Sequence, residues 1–327
     1  RGQAEHCLVL RIFAPIATNT NSLPISANSN NNTNRNPVIP ALLKPVLVWI
    51  HGGMFVAGSG VADDLYSGED FVLHQDVLVV TLNYRLGPQG FLGYRGTYGD
   101  TTNTGLWDQQ VALDWISNYI SQFGGDPNKI TLGGDSSGAT SVTMHMAHPQ
   151  TQTLFQQAIL QSSPAGIHLK RADEQEDLFR TLALEQLQCG DYYNTTHNTD
   201  NTKLYDNTTT DEITDDELMD CLVAISKTEE GMAKIVVASS NVLYINNVVD
   251  FDIWMSLYTW APSIDRTSKN ATTGYITGQP NKVVLETWPS SSSSSSSTDP
   301  AFTTTTSASS SKYEHRNPHP KTNAVLL

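Results

Sequence analysis

"KITLGGDSSGATS", Lys129–Ser141, sets one serine between two glycines in the pattern Gly-x-Ser-x-Gly: Gly134, Asp135, Ser136, Ser137, Gly138. The pattern is degenerate by itself, and serines ahead of a helix often serve only as caps. Its surroundings give it weight. The β-prone "KITL" ends just before Gly134, and "SSGATSVTMHMAHP" reads as a helix that opens after Ser136 and is closed by Pro149. A strand, a glycine-flanked turn and a helix form the setting in which a serine hydroxyl stands exposed at the top of a sheet. The helix start places N–H groups and the positive dipole end beside it.

Upstream, "PVLVWIHGG" (Pro45–Gly53) and "VLVVTLNYRLG" (Val77–Gly87) are β-branched runs ending in glycine, the pattern of parallel strands buried on both faces. Between Gly105 and Phe123, apolar Ala112, Trp115, Ile116, Tyr119, Ile120 and Phe123 follow helical spacing and predict an amphipathic helix facing the sheet. Strand, helix, strand, helix is an α/β layer order. Leu178–Gln188 and Asp215–Ile225 also read as helical. An Asn/Ser/Thr loop at 17–36, an Asn/Thr insertion at 191–211 and a Ser/Thr tract at 290–311 carry too little apolar area to offset their ordering entropy.

Composition excludes several classes of function. The 327 residues are 39% hydrophobic and 16% charged, a globular balance. The net charge of −14, with no Lys/Arg cluster, argues against a nucleic-acid partner. No run approaches the ~18 apolar residues of a membrane span. No Cys/His set has metal-ligand spacing, so neither metal nor cofactor is expected. Sequons at Asn31, Asn194, Asn207 and Asn270 point to a secreted or extracellular glycoprotein. Cys7, Cys189 and Cys221 make an odd count that leaves one partner unassigned.

A second motif decides the reading of Ser136. "WIHGGMF", Trp49–Phe55, ends an earlier strand, and consecutive backbone N–H groups after His51 can form an oxyanion hole together with the N–H that follows the serine. With "EHCLVLRIFAP", "PVLVWIHGGMFVAGSG", "NYRLGPQGFL", "TGLWDQQVALDWISNYISQFGGDPNKITLGGDSSGA" and "LFQQAILQSS" in this order, the chain resembles the type-B carboxylesterase/cholinesterase family of α/β-hydrolases almost end to end.

The resemblance implies an α/β-hydrolase fold, a mostly parallel central sheet with helices on both faces, in a single domain over residues 1–327 that is incomplete at both ends. It implies a serine hydrolase acting on small carboxylic esters through an acyl-enzyme, with Ser136 as nucleophile and the N–H groups of Gly53, Met54 and Ser137 as oxyanion donors. It also implies a Cys189–Cys221 disulfide around 31 intervening residues, worth about 3 to 4 kcal/mol by chain entropy, and a Cys7 partner upstream of residue 1. Two departures stand out: Met54 replaces the third glycine of the family's oxyanion motif and is expected to exclude bulky substrates. Asp135 replaces a frequent glutamate and is expected to tune the field around the base.

The family's triad acid follows a segment similar to "KTNAVLL" (Lys321–Leu327), itself read here as a buried strand, and its histidine comes later still. Both are therefore expected beyond Leu327, and the chain alone is expected to be inactive. An internal triad of Asp265 with His315 or His319 keeps the required order but draws on a structural segment and the edge of the Ser/Thr tract. His145 and His148 are expected to be packing or surface residues, and Trp49 and Trp115 to lie in the core. The rival reading is a catalytically silent, cholinesterase-like adhesion protein; members of that kind commonly lose the serine or its partners.

Overall fold

The computed structural model describes residues 7–15, 43–61, 65–100, 102–163, 169–191, 213–245, 260–264 and 323–326. The Asn/Ser/Thr segments at 17–36 and 290–311, residues 192–211 of the third, the four sequons, Asp265, His315 and His319 lie outside the described residues.

Ten strands are present among the described residues: β1 Leu10–Phe13, β2 Lys44–Ile50, β3 Leu78–Leu82, β4 Arg95–Gly96, β5 Gly99–Asp100, β6 Gly125–Asp135, β7 Gln157–Gln161, β8 Lys170–Arg171, β9 Ser263–Ile264 and β10 Asn323–Leu326. Six of them make one sheet in the order β1-β3-β2-β6-β7-β10. Only β1 is antiparallel to its neighbour, and every other pairing is parallel. The helices are α1 Glu69–Gln75, α2 Gly87–Phe91, α3 Thr104–Tyr119, α4 Ser137–Ala147, α5 Ala172–Thr181, α6 Asp215–Ser226 and α7 Glu229–Ile245.

The strand order locates the site. From β2 the chain steps to β3 on one side, then crosses back to β6 on the other and moves on to β7 and β10. Right-handed crossovers running in opposite directions place their helices on opposite faces of the sheet. They also leave a crevice beyond the carboxyl ends of β2 and β6, where the direction reverses and ligands of open α/β sheets bind. The "HGGMF" loop and Ser136 follow those two strand ends.

Several readings are corrected. Burial on both faces holds for β3, whose five residues are all buried. In β2, Val46, Val48 and Ile50 are buried while Leu47 and Trp49 are half-buried. The buried face of α3 carries Leu106, Gln109, Gln110, Leu113 and Ile116 and runs on into Ile120, with Tyr119 and Phe123 each 46% exposed. The helix is turned from its apolar stripe because Gln109 and Gln110 go inward to hydrogen-bond Ser141 and Gln150. Trp115 is consequently half-buried, stacking at a tilt on Tyr119 and Phe123. The strand before the serine spans eleven residues, and the helix predicted from Leu178 starts at Ala172.

The Cys189–Cys221 disulfide ties the turn that follows the π-helical segment Leu182–Gln186 to α6, with Cα atoms 5.9 Å apart. Cys7 is unbridged and partly buried.

Candidate functional site

Ser136 stands between the last residue of β6 and the first of α4 with φ 53° and ψ −119°. An L-residue reaches that region only at a cost of about 1–3 kcal/mol, paid where surrounding structure over-determines it. Here the surroundings are explicit. The Ser136 N–H donates to the Gln161 carbonyl of β7 at 2.9 Å, and its carbonyl accepts from the Thr140 N–H at 3.0 Å. The Ser136 side chain makes no helix-capping bond, so the cap reading fails, and the residue remains half-buried and reachable.

Gly138 explains how close the turn can come. A Cβ at this position would lie 2.1 Å from the Ile50 carbonyl oxygen and 2.8 Å from that of His51. Helix α4 is therefore pressed against the carboxyl end of β2, which brings Ser136 and Ser137 beside the loop that follows it. In that loop Gly53 has φ 122°, and a Cβ there would meet the Ala57 carbonyl oxygen at 2.1 Å. The Gly53 carbonyl accepts from the N–H groups of Val56 and Ala57 at 3.1 and 3.0 Å. Met54 and Phe55 follow at φ 57° and 62°, left-handed values that are strained for both residues. Phe55 is anchored by an edge contact with Phe91 and by its carbonyl, which accepts from the Gly87 N–H at 2.7 Å.

Loop and elbow are bonded directly. The Gly52 N–H donates to Asp135 Oδ1 at 3.0 Å, and the Tyr66 hydroxyl donates to the same oxygen at 3.2 Å. Burial, reinforced by the Asp135 charge, pushes the Tyr66 phenol up from its ordinary range. Asp135 thus orients the residue immediately before Gly53, a role that its position before the serine did not announce.

His51 is 1% exposed, with Nδ1 2.8 Å from the Gly52 carbonyl oxygen and its ring stacked on Tyr84 at 4.6 Å. Burial pulls its pKa down, against the opposing effects of that hydrogen bond and of Asp135. The Tyr84 hydroxyl donates to the His51 carbonyl at 3.1 Å, and burial pushes that phenol far up. His51 therefore shapes the loop from inside and is not a reachable base.

His145 is fully buried, its Nε2 2.8 Å from Gln109 Oε1. Burial, helped by neighbouring His148, pulls its pKa down to about 3. Both histidines of α4 and its cap are packing residues, as expected. Among the described residues no imidazole is hydrogen-bonded to Ser136, and no cluster of His, Cys, Asp and Glu could hold a metal. No helix among them is long and apolar enough to cross a membrane.

A mostly parallel sheet with a strained serine at the switch point, next to a glycine loop that follows the neighbouring strand, is the α/β-hydrolase architecture. The comparisons narrow the class. Residues 1–319 match the model of the carboxylesterase family, and the chain belongs to that family. It is 43% identical over 162 residues to an acetylcholinesterase of Bungarus fasciatus, 50% of this chain and 23% of the relative. It is 40% identical over 163 residues to a para-nitrobenzyl esterase of Bacillus subtilis, 49% of this chain and 28% of the relative. A phenmedipham hydrolase of Pseudarthrobacter oxydans is 44% identical over 140 residues, 43% of this chain and 27% of the relative. Among solved structures, a PNB esterase superposes with a TM-score of 0.60 at 26% identity, covering 87% of this chain and 46% of that one. The chain thus spans about a quarter of the length of these curated relatives.

Proposed function

We propose that the protein hydrolyses small carboxylic esters through an acyl-enzyme on Ser136. The observation that carries the reading is the Ser136 backbone at φ 53° and ψ −119°, held at the switch point and bonded through Asp135 to the Gly52–Met54 loop. In this reading the Ser136 Oγ attacks the ester carbonyl carbon, and the Gly53, Met54 and Ser137 N–H groups receive the negative charge that develops on its oxygen. Each such donor contributes about 3–4 kcal/mol to the transition state. The alcohol leaves, and water then releases the acid.

A serine hydroxyl needs an imidazole to take its proton and an acid to orient that imidazole. No described histidine meets Ser136, so in this reading the base and its acid come from outside the described residues. The Met54 side chain, on a donor residue, narrows the entrance and favours small acyl and alcohol groups. The disulfide between Cys189 and Cys221, with the four sequons, supports work in an oxidising, extracellular compartment.

The test is hydrolysis of p-nitrophenyl acetate by the full-length protein and by its Ser136→Ala variant. Activity that disappears with Ser136 supports the reading; equal activity in both proteins sinks it.

A further inference from the structure

Behind Ser137 runs a polar chain that the reaction as described does not use. The Ser137 carbonyl accepts from Ser141 Oγ at 3.1 Å; Ser141 Oγ accepts from Gln109 Nε2 at 3.2 Å; Gln109 Oε1 lies 2.8 Å from His145 Nε2. Gln109, Ser137, Ser141 and His145 each have 0% exposure. The proton positions follow from one another. Ser141 has a single hydroxyl proton and gives it to Ser137, so its oxygen accepts from the Gln109 amide. That leaves Oε1 for His145, whose Nε2 must carry its hydrogen. The burial that keeps His145 neutral removes any second proton that would disturb this pattern.

Stability gives little reason for such a chain. Replacing bonded buried partners by apolar groups of the same shape is often neutral or better, whereas a satisfied buried network fixes one arrangement of the elements it joins. Here it joins α3 to the first turn of α4. The carbonyls on both sides of Ser137 are held: that of Ser136 by the Thr140 N–H at 3.0 Å and hydroxyl at 3.3 Å, that of Ser137 by Ser141. The Ser136 carbonyl shares its peptide plane with the Ser137 N–H, and the Ser137 carbonyl anchors the plane that follows, so the bonds at both carbonyls together fix where that N–H points.

We propose that Gln109 is a positioning residue that acts through Ser141 to aim the Ser137 N–H at the ester oxyanion, an inference that rests on the esterase reading of Ser136. Gln109 touches no substrate. Its effect is confined to the transition state, where the oxyanion forms.

The experiment uses the full-length protein with Gln109→Met, Ser141→Ala and the double variant. It measures kcat and KM for p-nitrophenyl acetate and the affinity for an aryl trifluoromethyl ketone, which forms a tetrahedral oxyanion on a serine. Misaiming one donor is expected to lower kcat about 10-fold with KM within about 2-fold, and to weaken the ketone by the same factor. The double variant loses no more than either single one, because one linkage is cut in each. Ser141→Ala deletes a single oxygen, so the test stands even where Gln109→Met fails to fold. Wild-type kcat and ketone affinity in folded Ser141→Ala would overturn the inference and leave the esterase reading intact. A wild-type protein with no esterase activity overturns both.

Discussion

Substituting Gly138 by alanine tests how tightly the elbow depends on its contact with β2. The added Cβ would sit 2.1 Å from the Ile50 carbonyl oxygen, where real contacts do not fall below 3.0 Å. Strand β2 lies between β3 and β6 and is hydrogen-bonded to both, so it cannot yield. Helix α4 must retreat by about 1 Å, taking Ser136 and the Ser137 N–H away from the Gly53–Met54 loop. A displacement of that size costs on the order of 100-fold in rate, or about 2.7 kcal/mol of barrier. Overpacking against backbone costs a further 1–3 kcal/mol or so of stability. The assay is the pseudo-first-order rate at which a fluorophosphonate labels the full-length protein, with urea midpoints measured in parallel. Folded Gly138→Ala that labels at the wild-type rate would refute the reasoning, since the elbow would then tolerate separation from the loop.

Other expectations are independent of that contact. Ser136→Gly, which relieves the left-handed backbone, should be more stable than Ser136→Ala by about 1 kcal/mol in chemical denaturation; the opposite order would contradict the strain assigned to the elbow. Replacing Cys189 and Cys221 by alanine should lower stability by about 3–4 kcal/mol through the freed 32-residue separation, and an unchanged urea midpoint would remove the disulfide from the account. Folded His145, pulled down to about 3, stays neutral where its unfolded counterpart, at 6.5, takes up a proton. Its stabilisation is therefore full above pH 6.5 and lost as pH falls toward 3, at about 1.4 kcal/mol per unit. His51 and His148 are shifted the same way and steepen the loss. Stability that is flat from pH 7 to 5 would contradict neutral burial of these imidazoles.

Much of the fold was legible because its signals are local. "KITLGGDSSGA" carries strand, turn and helix in one run, and the β-branched stretches at Pro45–Gly53 and Val77–Gly87 mark β2 and β3. The direction in which α3 turns was not legible: its apolar stripe pointed to Tyr119 and Phe123, while the buried bonds of Gln109 and Gln110 turned other residues inward. Helix α7 was also missed: Thr228 caps it, accepting from the Gly231 N–H at 3.0 Å, but a glycine in the first turn and β-branched pairs in "EEGMAKIVVASSNVLYI" blur its period. At the site, Ser136 and the "HGGMF" loop were readable from motifs. The Gly52–Asp135–Tyr66 bonding and the chain from Ser137 to His145 join residues up to 83 positions apart and appear only in three dimensions.

The proposed chemistry stands on the Ser136 hydroxyl as nucleophile. Incubating the full-length protein with a fluorophosphonate and mapping the adduct by peptide mass spectrometry tests it most directly. One phosphonylated residue is expected, Ser136, formed in the native protein and absent after urea unfolding or in Ser136→Ala. Labelling of another serine, or an unlabelled native protein, would contradict it.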